Sequence, residues 1–180
     1  MRAWGTIQLT GPVLDANVSA SLATVHQPTY VKFKAYRAEV IEAALFLESR
    51  LEVLLCRIFV GTDQVREQLF RSLVLDPESG SFFQKWRMLR GAFEFIGVPG
   101  SSLSEDERKA LLSSLQRLGN DRNKFAHGNL YIDIRDGRPL LEYYEGSKKQ
   151  EYLSDASVEA VLDNASATHV LLERVITAAQ

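Results

Sequence analysis

The sequence predicts a mainly α fold: an up-and-down bundle of four to five helices, with a small β-hairpin inserted before the last helix. Three observations predict it. From about Tyr30 onward, apolar residues recur every three or four positions over most of the chain. Two capping boxes and several glycine or proline breaks mark where helices start and stop. One stretch, from Leu130, falls to a period of two around Asp136-Gly137. The length of 180 residues suits one domain. Hydrophobic residues make up 46% and charged residues 24%, which excludes a disordered chain and a collagen-like repeat. The longest apolar run, Ala43 to Leu47, is far short of the roughly 20 residues that cross a bilayer, so no membrane association is expected.

Residues 1–28 are thin in charge and rich in Thr, Ser, Ala and Gly. Thr6 to Thr10 alternates like a short strand that Gly11-Pro12 breaks, so this segment is expected to be an N-terminal arm or short strand ahead of a helical domain over 29–180. In that domain, Phe33, Tyr36, Val40, Ala44, Leu47, Leu51, Leu54 and Ile58 trace one long amphipathic helix, which Gly61 ends. Thr62 or Asp63 caps a shorter second helix through Val65, Leu69 and Leu73. Ser81 with Gln84 opens a third, whose buried stripe is Phe82, Trp86, Leu89, Phe93 and Ile96; Gly97-Val98-Pro99-Gly100 stops it.

Ser104 with Glu107 opens the fourth helix, with Glu105 and Asp106 adding acid where the helix dipole favours it. Its stripe is Leu111, Leu115, Leu118, Arg122 and Phe125, and it ends near His127 with Gly128 as its stop. A hairpin follows at about 130–144. A two-residue Asp136-Gly137 turn pairs Ile134 with Pro139, Ile132 with Leu141 and Leu130 with Tyr143. The last helix begins near Ser154 or Asp155, with Val158, Val161, Ala165, His169, Leu172 and Ile176 on one stripe.

The charge balance narrows the function classes. Twenty-one basic against 23 acidic residues leave a net charge of −2, so the whole surface does not attract nucleic acid. Ser81 to Gly128 holds eight basic and five acidic residues, enough for a local basic patch. Cys56 is the only cysteine, which excludes an internal disulfide and a Cys-rich metal site and makes a reducing, cytoplasmic setting the expectation. Met1-Arg2-Ala3-Trp4-Gly5 leads into no apolar signal core, so secretion is not expected. There is no phosphate-binding glycine loop with its lysine, no histidine pair at zinc-binding spacing and no nucleophile elbow. No cofactor and no metal are expected.

One constellation remains: Arg122-Asn123-Lys124-Phe125-Ala126-His127-Gly128. The fourth helix's stripe places Arg122 on its apolar side, where a guanidinium needs a partner. Asn123 and His127 are four apart and so stand one turn above the other. His127 sits about 140° round from Arg122, within reach of a long side chain. The last-turn carbonyls favour a cationic imidazole and Arg122 opposes it, which suits a group that exchanges a proton.

Arginine, a polar residue and histidine after four intervening positions, at the end of a long core helix, resembles the HEPN superfamily, and within it the mannitol-repressor-like branch. Phe83 and Lys85 in the third helix and Glu48, Leu51 and Glu52 in the first belong to the likeness. It covers roughly Tyr30 to Gly128 and leaves the N-terminal arm and the hairpin outside. The resemblance implies a helical homodimer with the two motifs facing each other, forming a metal-independent endoribonuclease of the toxin or defence type. Arg122 would then bind the scissile phosphate, Asn123 would orient the site, and His127 would move a proton to or from a ribose oxygen. Lys124, Arg117 and Glu48 would lie around the substrate. RNA as substrate, and an antitoxin or regulatory protein as partner, follow from the same likeness. The superfamily also contains non-catalytic regulators, mannitol repressors among them.

Plainer readings stand beside each of these. Arg122 is read equally as a buried arginine paired with an acid of the first helix, Glu48 first among them, and His127 as a polar cap. His169 reads as a satisfied core or interface histidine, and His26 beside Pro28 as bystander surface. Trp86, Phe82 and Phe93 read as core. Lys85, Arg87 and Arg90 read as a solvated face that, with Arg117 and Lys124, makes at most a modest patch. Tyr131, Tyr143 and Tyr144 read as an adhesive hairpin edge for another subunit or, more plainly, as packing against the bundle, and Cys56 reads as a small buried hydrophobe.

Overall fold

A computed structural model describes residues 9–10, 16–76, 81–96, 103–133 and 135–179, with the backbone alone described for 9–10 and 16–25. It is mainly helical, with five α-helices and a small sheet before the last. In order these are β1 (Leu9–Thr10), α1 (Ala16–Phe59), α2 (Gln64–Leu73), α3 (Phe82–Gly91), α4 (Glu105–His127), β2 (Asn129–Asp133), β3 (Pro139–Glu145), β4 (Ser147–Tyr152) and α5 (Asp155–Ala178). By its contacts the chain forms two compact units, residues 1–41 with 121–161 and residues 42–120 with 162–180.

In the second unit, the predicted stripes are the core. Leu47, Leu51 and Leu54 of α1, Leu111, Leu115 and Leu118 of α4, and Leu172 of α5 are all buried. Side chains close the helix starts as the sequence indicates. Asp63 accepts from the N–H groups of Val65 and Arg66, and Ser81 with Gln84 forms a reciprocal capping box. Ser104 with Glu107 does the same at α4, with bonds of 2.8 and 3.2 Å. Trp86 is buried and its indole N–H donates to the Leu112 carbonyl at 2.8 Å.

Four expectations are corrected here. The first helix begins at Ala16 rather than near Tyr30, and Pro28 lies inside it. Proline removes a single N–H from the ladder, and the helix carries on through that gap. Ile96 was expected in the buried stripe but is exposed, because Ala92–Ile96 winds as a π-helical turn. With more residues per turn, the apolar face slips out of phase there. Lys85, expected on a solvated face, is 2% exposed and lies between two carboxylates. Finally, the hairpin register differs by two residues.

In the first unit, β2 pairs antiparallel with β3 as Leu130↔Leu141 and Ile132↔Pro139. The turn is longer than two residues. The Asp133 N–H bonds the Arg138 carbonyl at 2.9 Å, and the Asp133 carbonyl accepts from Gly137, which takes φ +72°. The Asp133 carboxylate accepts from the backbone N–H and guanidinium of Arg135 and from the Tyr152 hydroxyl, holding the wider loop. A two-residue shift preserves faces, so Leu130, Ile132 and Leu141 are buried all the same. Ile134 lies outside the described residues. His26 does not stand apart as bystander surface: its ring packs beside Gly137, where an added Cβ would meet Cε1 at 2.7 Å.

Two further strands complete a sheet of order β1-β2-β3-β4. β4 runs antiparallel to β3, with Glu142 bridging to Lys148 and Gln150, each at 2.8 Å. Leu9 and Thr10 run parallel to Ile132 and Asp133. Thr6 to Gln8 of the expected N-terminal strand lie outside the described residues.

Candidate active site

The carboxyl end of α4 is shaped by Gly128. Its N–H bonds the Lys124 carbonyl at 2.8 Å, and a Cβ at this position would stand 2.4 Å from that same oxygen and 2.9 Å from Leu141. Only glycine lets the chain close the helix and turn at once into β2. His127 is thereby left as the last helical residue, exposed, with exposed Asn123 one turn before it.

Arg122 is half-buried, and its NH1 donates to Asn123 Oδ1 at 3.0 Å. Its Nε is buried without a hydrogen-bond partner among the described residues. A donor so placed is costly unless a ligand or water meets it. The acid named as its best partner is engaged elsewhere. Glu48 Oε1 lies 2.6 Å from Lys85 Nζ within the second unit, and Arg122 meets no carboxylate among the described residues.

Lys124 is half-buried beneath Tyr143, with its ammonium 5.3 Å from the ring centroid, 3.5 Å from Asp121 and 3.7 Å from Glu151. Burial works against its charge, but Glu151 and Asp121 outweigh it and hold the lysine above its ordinary pKa. Its charge is thus balanced inside the chain. Arg117 is exposed on α4. Arg117 and Glu48 belong to the second unit, whereas Arg122, Asn123, Lys124 and His127 belong to the first.

One side chain at this end of α4 has no sequence signal. Arg37 of α1 is half-buried and donates from NH2 to the Ala126 carbonyl at 2.9 Å, across 89 positions. The contact is long-range, and nothing in local spacing announces it.

The remaining candidates take plainer places. His169 is not sealed in the core as expected: it is half-exposed, edge-on to Phe46 at 5.0 Å and 3.4 Å from Glu173. Cys56 is buried, which pushes its thiol pKa up. Among the described residues, no three His, Cys, Asp or Glu side chains group as a metal site, and no helix is long and apolar enough to cross a membrane. Compared with family models, curated proteins and solved structures, the chain matches none of them.

Proposed function

We propose that this chain is a metal-independent endoribonuclease of the HEPN type, acting as a homodimer in a toxin or defence setting. The observation that carries it is the grouping of Arg122, Asn123 and His127 at the surface end of α4, with Arg122 bound to Asn123 and to no carboxylate among the described residues. The substrate supplies its own nucleophile. The ribose 2′-hydroxyl attacks the adjacent phosphorus, the bond to the 5′-oxygen breaks, and a cyclic phosphate and a free 5′-hydroxyl result. Arg122 neutralises the charge that builds on the phosphoryl oxygens, and Asn123 holds the guanidinium in place. His127 moves the proton at a ribose oxygen.

A second reading, a non-catalytic regulator that binds a protein partner, is favoured by the pairing of Lys124 with Asp121 and Glu151 and by the net charge of −2. Both weaken attraction to a polyanion. Total RNA incubated in EDTA separates the two. The wild-type protein is expected to cut it to ends carrying cyclic phosphate, and His127→Ala to cut at least about a hundredfold more slowly. RNA left intact by both proteins would overturn the nuclease in favour of the regulator.

A further inference from the structure

Arg37 is the group the reaction above does not use. We propose that it supplies a second phosphate-binding guanidinium to the site of Arg122 and His127; this rests on the cleavage reading and adds to it a residue of α1. Its position is the first reason. Arg37 is fixed at 2.9 Å on the carbonyl of Ala126, which lies one turn beyond Arg122 on the same face of α4 and next to His127. That bond uses one of five N–H donors and leaves the rest of the fork for a ligand.

Electrostatics gives the second reason. The carboxyl end of a helix carries about half a unit of negative charge on carbonyls without intrahelical donors. A phosphodiester approaching His127 is repelled by it. Arg122 alone leaves the helix end and the phosphate with negative charge in excess; Arg37 reverses the sign. The third reason is contrast. Arg50, Arg71, Arg90, Arg135, Arg138 and Arg174 each meet a carboxylate. Arg37 and Arg122 are half-buried with one hydrogen bond each and no carboxylate partner among the described residues, a state they share with Arg57 and Arg108 of the second unit; what sets them apart is that both lie at the His127 end of α4. A guanidinium is planar, weakly hydrated and matched to phosphate oxygens, so two uncompensated ones beside a proton-transfer group make an anion site.

A purely structural role is the alternative, and Arg57 provides its control. Arg57 donates to the Ile176 carbonyl of α5 at 2.6 Å, the same kind of helix-end bond made within the second unit. The probe is inorganic phosphate, titrated into full-length protein while the arginine Nε–H resonances are followed by NMR. Phosphate is expected to shift Arg37 and Arg122. Arg37→Gln is expected to weaken its affinity about tenfold or more, whereas Arg37→Lys keeps it within about threefold and Arg57→Gln leaves it unchanged. No shift at Arg37 up to tens of millimolar phosphate, unchanged affinity in Arg37→Gln, or equal loss in Arg57→Gln would each overturn the proposal. Phosphate binding at Arg37 alongside intact RNA would sink the cleavage reading and leave this site standing. RNA cleaved by Arg37→Gln with wild-type kcat and KM would do the reverse.

Discussion

Lys85 holds a charge in a place where only 2% of its side chain meets solvent, because Glu48 and Glu52 each approach its Nζ to 2.6 Å. Burial by itself lowers a lysine's pKa, but the two carboxylates outweigh it and the net direction is upward. Glu52 also lies 3.4 Å from Arg71, which pairs with Glu67, so removing the lysine leaves a surplus of acid. Lys85→Ala should cost about 3 kcal/mol, the low end for a broken buried pair, because both glutamates keep some contact with water. Urea denaturation at pH 7 measures it. A loss under about 1 kcal/mol would show that the cluster contributes little. The pH sign follows from the raised pKa. The lysine's contribution is whole below the ordinary lysine value of about 10.4 and disappears as pH rises through the higher folded one, so the gap between wild type and variant should close only in strong alkali. The sequence names Glu48, Glu52 and Lys85 as parts of one likeness, yet spacing alone places Lys85 among surface cations. Its burial comes from a partner helix, and that is not a local property.

At the scale of elements, the junction of α4 and β2 sets the geometry of the site. Gly128→Ala would press a methyl group against the Lys124 carbonyl and Leu141. The backbone oxygen at 2.4 Å cannot yield as a flexible side chain can, so the variant should lose about 1–3 kcal/mol, the range for overpacking. Thermal unfolding checks this, and an unchanged melting temperature would mean that the chain turns there by another route. Helix starts were legible because their determinants are local: Ser81 with Gln84 and Ser104 with Glu107 satisfy N–H groups three residues away. The hairpin's buried face was legible for the same reason, since alternation survives a two-residue slip. Its register was not, because Asp133 widens the turn through Arg135 and Tyr152, and Tyr152 stands on a strand with no apolar alternation. β4 carries Lys148, Lys149, Gln150 and Glu151 and is exposed throughout, so no hydrophobic pattern announces it.

At the scale of the whole molecule, a net charge of −2 and the internal pairing of Lys124 leave few cations for a polyanion. If Arg37 and Arg122 supply the main phosphate contacts, the logarithm of affinity for single-stranded RNA should fall with the logarithm of salt at a slope of about −1 to −2. Fluorescence anisotropy between 50 and 200 mM salt reads it, and a slope steeper than about −4 would require a basic surface that these residues do not supply. By itself the sequence determined the helical class, most of the core stripes, three helix caps and the string from Arg122 to Gly128, since each depends on residues within a turn or two of one another. Tertiary structure alone decided that α1 runs through Pro28, that Glu48 pairs with Lys85, and that Arg37 reaches Ala126. Such pairings join residues tens of positions apart, and their partners are chosen by packing that no local period encodes.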